Sequence, residues 1–248
     1  DAANYNQATA SVQINVNNLQ TPVITWPTPA AITFGTALSA AQLNATANTA
    51  GSFTYSPVLG TVLNAGTQTL NVQFNPTNTA QFSPASASVS LLVNKANPVL
   101  TFNNPANITY PTALSATQLN AAADVAGTFS YSPVLGTVLN AGALQILTAN
   151  FVPTSSNYNN ASISAQINVL KGTPIISWAN PANITVGTAL SATQLNASSN
   201  VAGAFVYNPN AGTVLGAGNG QTLNTTFTPS DAANYNQATA SVQINVNN

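Results

Sequence analysis

Apolar and polar residues alternate in short stretches along most of the chain. Val242, Ile244 and Val246 are separated by single polar residues. An upstream stretch repeats the pattern with Leu70, Val72 and Phe74. A period of two is the signature of strands that bury one face. Pro and Gly interrupt these stretches about every 8 to 12 residues, as is typical of an all-β sandwich.

The same pattern recurs at a fixed spacing. The segment TALSA occurs at residues 36–40, 112–116 and 188–192, 76 residues apart each time. Self-similarity of this length indicates tandem units, each able to close a small two-sheet core. We predict six or seven strands per unit, with a short helical turn as an alternative in TALSATQLNA. The predicted domains are 1–20 (final strand of a preceding repeat), 21–96, 97–172 and 173–248.

A longer period lies on top of the 76-residue one. Residues 1–18 are identical to residues 231–248, whereas the corresponding tails of the other two repeats differ at many positions. The identity predicts a 230-residue super-repeat of three units. Residues 1–18 then carry a final strand without its own sheet, and its apolar face is Val12, Ile14 and Val16. We predict that this orphan strand is an assembly element that pairs with another repeat or another chain.

Composition excludes most chemistry. Only 2% of the 248 residues are charged, two of them Lys or Arg and three of them Asp or Glu, and the chain has no His, Cys or Met. Nucleophile–base pairs, paired carboxylates and metal sites all need residues that are missing or too few. A basic face for nucleic acid is also missing. We therefore predict no enzyme activity, no catalytic residues, no cofactor, no metal site and no nucleic-acid partner, and no apolar run long enough to span a membrane.

The remaining candidate residues have structural interpretations. Lys95 and Lys171 lie at the ends of repeats, and we interpret them as solvated linker residues rather than cross-linking lysines. Asn219-Gly220 is typical of a tight turn. Four aromatic residues precede the final strands and are predicted to pack at a corner: Tyr5, Phe82, Tyr158 and Tyr235. Six glycosylation sequons begin at Asn44, Asn107, Asn160, Asn183, Asn196 and Asn224, and composition alone explains most of them.

The order of motifs resembles a known family. Units that read ITFGTALSA or ITVGTALSATQLNA, then GTFSYSPVLGTVLNAG, then FNPTN or FTPSDAANYN, then ATASVQINV are similar to tandem bacterial immunoglobulin-like repeats of the MBG type. The resemblance covers essentially the whole chain. It implies an immunoglobulin-like sandwich, a cell-surface or extracellular location and a spacer or adhesive role, and it brings no catalytic residues.

These observations predict a structural segment of an extracellular stalk, fibre or filament. Its expected partners are neighbouring repeats and identical chains, in a head-to-tail homopolymer or a continuous array. The alternative is an adhesin segment that binds glycan or another cell surface through loops at the sandwich ends. Near-identical loops such as SPVLGTVLNAG favour the structural role, because specific binding usually resides in a divergent domain.

Stability should depend little on pH. Folding is linked to pH only through groups that bind protons differently in the folded and unfolded states, and this chain has three Asp, no Glu and no His. We expect thermal unfolding followed by circular dichroism to give nearly the same midpoint from pH 4 to pH 8. Substantial unfolding at either end of that range would contradict the expectation.

Overall fold

Six strands recur in the same order three times in the computed structural model, which describes residues 6–14 and 18–248. Repeat 1 contains β1 (Ile24–Thr25), β2 (Ile32–Thr33), β3 (Thr46–Ala47), β4 (Gly51–Ser56), β5 (Gly66–Pro76) and β6 (Ala85–Asn94). Repeat 2 contains β7 (Leu100–Thr101), β8 (Ile108–Thr109), β9 (Ala122–Ala123), β10 (Gly127–Ser132), β11 (Gly142–Pro153) and β12 (Ala161–Leu170). Repeat 3 contains β13 (Ile176–Ser177), β14 (Ile184–Thr185), β15 (Ser198–Ser199), β16 (Gly203–Asn208), β17 (Gly218–Pro229) and β18 (Ala238–Asn247).

Each set of strands forms one four-stranded sheet and one two-stranded sheet. In repeat 1 the larger sheet has the order β2-β6-β5-β4, and β1 pairs with β3 in the smaller one. In this sheet β2 pairs with β6 in parallel, whereas the pairs β6–β5 and β5–β4 are antiparallel. Repeats 2 and 3 have the same strand orders. The predicted fold class, all-β with tandem immunoglobulin-like β-sandwich repeats of about 76 residues, is confirmed. Of the six or seven strands predicted per repeat, six are present.

The alternating pattern places one face of each long strand in a core. Along β5, Leu70, Val72 and Phe74 are buried and the residues between them are exposed. Across the strand pair Leu70 lies opposite Val89 of β6, so the two apolar faces coincide. Pro76 ends β5 opposite Gly51, the first residue of the edge strand β4, where a residue without an amide donor is tolerated.

The buried residues form one cluster in each repeat. Each cluster joins two leucines at equivalent positions, one from the TALSA segment and one from the long fifth strand. These pairs are Leu38 with Leu70, Leu114 with Leu147, and Leu190 with Leu223. The cores are therefore made of residues that the 76-residue repeat and its period of two had marked.

The described chain packs as two compact units. Unit 1 consists of the described residues up to Pro98 together with Pro153–Asn159. Unit 2 consists of Val99–Val152 and Asn160–Asn248, and thus holds repeat 3 and most of repeat 2. The segment of repeat 2 that belongs to unit 1 lies between the end of β11 and the start of β12. The predicted domain boundaries at residues 20, 96 and 172 stay a prediction.

The TALSATQLNA segment of repeats 2 and 3, and its counterpart TALSAAQLNA in repeat 1, each form a single helical turn rather than a strand. The amide of Leu43 donates to the carbonyl of Ser39 at 3.0 Å. The Oε1 atom of Gln42 accepts from both the backbone amide and the hydroxyl of Ser39, at 3.0 and 2.9 Å. Ser followed three residues later by Gln is a capping box, so the turn has its own local cap. The same contacts recur in the other two repeats.

Asn219-Gly220, predicted as a tight turn, lies inside β17 in a β-bulge. The register between β17 and β18 shifts between Gly218 and Gln221, and Gly220 has a φ of +63°. Its amide donates to Oδ1 of Asn245 at 2.8 Å. The fifth strands of repeats 2 and 3, β11 and β17, are one residue longer than β5. The bulge accommodates this additional residue without ending the strand. In repeat 2 the equivalent left-handed residue is Leu144, with a φ of +54°.

Replacing Leu144 by glycine should stabilise the protein by about 1 kcal/mol. A left-handed conformation costs an L-residue roughly 1–2 kcal/mol, and glycine adopts it without that penalty. The Leu144 side chain is exposed, so its removal loses little packing. Chemical denaturation should show the increase. Ile146→Gly, in the same strand and equally exposed, is the control and should lower stability; a lower stability for Leu144→Gly as well would contradict the argument.

Candidate functional site at the repeat junctions

The segment before the last strand of each repeat makes a corner. We call residues 77–83, 154–159 and 230–236 corner 1, corner 2 and corner 3. Each corner pairs with one residue of the linker that enters the same repeat, through isolated parallel bridges. The pairs are Gln20 with Phe82, Ala96 with Tyr158, and Gly172 with Tyr235.

Two backbone hydrogen bonds hold each linker residue. In unit 2 the amide of Gly172 donates to the carbonyl of Asn234 at 2.9 Å, and the amide of Asn236 donates back to Gly172 at 2.8 Å. Ala96 and Gln20 make the equivalent pairs of bonds to their corners, at 2.9 and 3.0 Å in each case. Only Lys171 separates Gly172 from the end of β12. A linker this short and this fully bonded is part of the fold rather than a flexible spacer.

One asparagine of the corner reaches the preceding repeat. In unit 2, Oδ1 of Asn234 accepts from the amide of Ala141 at 2.7 Å, and its Nδ2 donates to Oδ1 of Asn140 at 3.4 Å. In unit 1, Asn157 makes the same two bonds to Ala65 and Asn64, at 2.8 and 3.1 Å. The amide side chain is suited to this position because it accepts and donates at once.

An aromatic pair accompanies each asparagine. In unit 1 the rings of Phe34 and Tyr158 meet edge to face, with centroids 5.4 Å apart. In unit 2 Tyr110 and Tyr235 meet in the same way at 5.2 Å. Such pairs contribute beyond the apolar area that they bury. The predicted corner aromatics Tyr158 and Tyr235 therefore tie a corner to the preceding repeat. Phe82 is half-buried, and Tyr5 lies outside the described residues.

Three of the four charged side chains in the described residues make local hydrogen bonds. Lys171 donates to the carbonyl of Ala232 at 2.6 Å, and Lys95 is exposed. Asp231 accepts from Nδ2 of Asn234 at 2.8 Å and so orients that side chain. Asp124 accepts from the amide of Val99 at 2.8 Å, a role that Asn48 and Asn200 fill in the other repeats.

The described part of the chain offers no group of three or more metal-ligating side chains. It also holds no helix with the length and apolar character needed to cross a membrane. The six sequon asparagines are exposed. The groups that the fold brings together with geometric precision are those of the repeat junctions.

The predicted assembly residues differ from their counterparts in repeat 3. Val12 and Ile14 lie outside any strand and are 87% and 82% exposed, and Val16 lies outside the described residues. The equivalent Val242 and Ile244 of β18 are 6% and 1% exposed. The pairing of Val12, Ile14 and Val16 with another chain stays a prediction.

The sequence carried a signal for the junction asparagines that was missed. Asn64 and Asn140 recur 76 residues apart, and Asn157 and Asn234 recur 77 apart. In a chain this rich in Asn, a recurring Asn does not stand out from its neighbours. The role of these four asparagines becomes visible only in the fold, where hydrogen bonds join residues more than 90 positions apart.

Replacing Asn234 by alanine should destabilise unit 2 by about 1 kcal/mol. The change leaves the amide of Ala141 without its acceptor in a partly buried position, where an unmade hydrogen bond is costly. Thermal unfolding should show the loss. Asn236→Ala removes an exposed side chain two residues further along and should change stability little. Equal effects of the two substitutions would contradict a specific role for Asn234.

Comparisons with known proteins give a fold-level likeness only. No family model and no curated protein sequence matches the chain. Among solved structures, immunoglobulin domains 1–5 of Sidekick-1 are similar at 12% identity and a TM-score of 0.35, over 94% of this chain and 60% of theirs. The chain thus spans less than two thirds of that structure.

Two further structures are similar at the same level. The insect immune protein hemolin matches at 10% identity and a TM-score of 0.31, over 91% of this chain and 76% of its own. SGBP-B of Bacteroides ovatus, solved in complex with a mixed-linkage heptasaccharide, matches at 11% and 0.24, over 93% of this chain and 72% of its own. At these TM-scores we draw nothing about function from the likeness.

Proposed function

We propose that this chain is a structural repeat segment of an extracellular or cell-surface stalk, fibre or filament, without enzymatic activity. Its repeats would assemble end to end, in a head-to-tail homopolymer or a continuous array of identical chains. The motif order that resembles bacterial immunoglobulin-like repeats of the MBG type supports the bacterial surface setting of this proposal.

The observation that carries the proposal is that the same junction is built twice. Asn157 and Asn234 form hydrogen bonds with equivalent atoms of the repeat that precedes each of them, and each is accompanied by an edge-to-face aromatic pair. A binding module needs only one well-formed recognition surface, whereas a load-bearing array needs the same joint at every step. Within each unit, two backbone hydrogen bonds fix the linker residue to its corner, as a repeated structural joint requires.

The scarcity of charge supports association between chains. With a net charge of −1 over 248 residues, electrostatic repulsion between identical chains is small, and low net charge promotes association. A junction in which one end of a repeat contacts the opposite end of the next is heterologous. Contacts of this type give open filaments when they do not close into a ring.

Electron microscopy of the purified chain tests the proposal. We expect regular fibres built from this chain alone at high protein concentration, and we expect them to persist at high salt because so few charges are available for screening. Gln81→Ala, at the position of corner 1 equivalent to Asn157 and Asn234, should shorten or abolish the fibres, and Asn236→Ala should leave them unchanged. A chain that stays dispersed at all concentrations would contradict end-to-end assembly by separate chains.

The adhesin alternative rests on the loops that carry SPVLG. Val58 and Leu59 are exposed at the tip of one such loop, and beside them a groove is lined by Phe53 and Tyr55. Aromatic side chains in a groove with exposed apolar residues at its edge are of the type that stack against sugar rings. A glycan array with saturable hits, lost on Leu59→Ser, would favour this alternative; an array without hits would leave the structural role.

A further inference from the structure

We propose that residues 6–14 are a spare β18 strand, and that residues 6–14 of a second copy of this chain take the β18 position in repeat 3. This inference rests on the proposed end-to-end assembly and names its partner and its register. Exchange of the strand would also bring corner 1 of the second copy against the exposed end of repeat 3.

The first support is that identical residues have opposite exposure. Residues 6–14 repeat residues 236–244 without a difference. In β18, Val242 and Ile244 belong to the buried core of repeat 3, yet Val12 and Ile14 are almost fully exposed. A segment with strand-forming alternation and an apolar face of this kind gains most from a sheet that already fits it.

The acceptor sheet fixes the register. In repeat 3, Val242 lies opposite Leu223 and Ile244 lies opposite Gln221 of β17. Val12 of the second copy would therefore lie opposite Leu223, and Ile14 opposite Gln221. A shift of one residue would turn both apolar side chains to the solvent face, so this pairing has one favourable register.

The end of repeat 3 presents the matching half of a junction. Val186 and Ala217 occupy the positions at which Tyr110 and Ala141 meet a corner in unit 2, and both are exposed. In the second copy, Leu19 and Gln20 directly follow residue 18, and Gln20 is already bonded to corner 1. A donated strand would thus deliver corner 1 to the place that a following repeat occupies.

The side chains of the two halves differ from the other junctions in a compensating way. Gly216 stands where Asn64 and Asn140 stand, and Gln81 stands where Asn157 and Asn234 stand. The other junctions pair two asparagines, and this one would pair the longer glutamine with a glycine. The total size of this first pair is roughly kept, as a shared interface requires. Phe82 with Val186 replaces a pair of aromatic rings by one ring and a smaller apolar side chain.

The free energy of strand exchange between two chains depends on this junction. The donated strand and the resident strand have the same sequence, so replacing one by the other changes no contact within the sheet. The new contact is that between corner 1 and the end of repeat 3, and it must offset the entropy of association. Exchange between unaltered chains is therefore favoured only at high concentration, and weakening the resident strand should promote it.

Ile244→Asp tests the proposal in the full chain. It places a carboxylate in the core of repeat 3 through the resident strand, while residues 6–14 remain intact. Trp178 packs against that core, so its fluorescence reports the state of repeat 3 in a Trp26→Phe background; repeat 2 carries Phe102 at the equivalent position. We expect this variant to associate with rising concentration, and its Trp178 emission to return to that of the parent as it associates.

Two matched variants make the outcome specific. Ile14→Asp alone should stay monomeric with parental emission at the same concentrations. Ile14→Asp with Ile244→Asp should associate at least about tenfold more weakly than Ile244→Asp, which corresponds to about 1.4 kcal/mol. Equal association of the double variant would overturn the proposal. So would recovery of Trp178 emission without association, because the strand would then have come from the same chain.

A peptide covers the case in which Ile244→Asp unfolds too far to associate. A synthetic peptide with the sequence of residues 1–18, added to that variant, should restore Trp178 emission with a saturable dependence on peptide concentration. The same peptide with aspartate in place of Ile14 should not restore it. Failure of both peptides would overturn strand donation while leaving the fibre experiment, which uses the unaltered chain, free to support the proposed function.

Discussion

Replacing Leu223 by alanine should lower the free energy of unfolding of repeat 3 by about 2–5 kcal/mol, the range for buried Leu-to-Ala changes. Leu223 lies in the middle of β17, is completely buried, and belongs to the core cluster that includes Leu190 and Ile244. The surrounding strands are held by their hydrogen-bond ladders and cannot close fully around the cavity. A loss of this size is a large share of the total stability of a small domain.

Denaturant unfolding followed by Trp178 fluorescence, in the Trp26→Phe background, measures this loss. Val206→Ala is the matched control, because Val206 lies in the neighbouring strand β16 of the same repeat and is 68% exposed. We expect it to change the midpoint little. A loss of less than about 1 kcal/mol for Leu223→Ala would mean that the core of repeat 3 collapses around the cavity or is not what holds β17 in place.

The importance of Leu223 could be predicted from the sequence because two periodic signals agree on it. The period of two along its strand marks the buried face, and the repeat places Leu70 and Leu147 at the equivalent positions. The parallel pairing of β2 with β6, and of β14 with β18, could not be predicted in this way. It depends on two-residue strands, such as β2 and β14, that are too short to show any period.

The junctions could not be predicted for a different reason. Their hydrogen bonds join residues more than 90 positions apart, and the side chains concerned are asparagines in a chain that is full of them. The bulge in β17 was missed because an Asn-Gly pair favours a left-handed glycine in a turn and in a bulge alike. The local sequence preference thus predicts the left-handed conformation of the glycine. Whether that glycine lies in a turn or in a bulge depends on pairing with the neighbouring strand.

The recurring glycine at the start of the fourth strand of each repeat could be predicted only in part. Its spacing was plain in the sequence, at Gly51, Gly127 and Gly203, but the reason for it was not. In the fold each of these glycines lies beneath the ring of a buried phenylalanine of the adjacent strand. For Gly203 that ring belongs to Phe227, which is also in contact with Phe205.

Replacing Gly203 by alanine should destabilise repeat 3 by about 3 kcal/mol, the upper end of the usual cost of overpacking. An added Cβ would lie 2.4 Å from Cζ of Phe227 and 2.4 Å from the carbonyl oxygen of Thr228. The carbonyl is part of the strand pair between β16 and β17, so it cannot move without disturbing the ladder. The ring cannot tilt away either, because Phe227 is only 1% exposed and has a packed environment.

Two further variants separate these causes. Gly216→Ala adds a methyl group where no atom lies within 4 Å, and we expect its midpoint to match the parent within experimental error. Phe227→Leu combined with Gly203→Ala removes the ring that the new methyl group meets, so the pair should lose less stability than the sum of the two single changes, as coupled neighbours do. Strict additivity in a double-mutant cycle would show that the carbonyl of Thr228, and not the ring, requires glycine at this position.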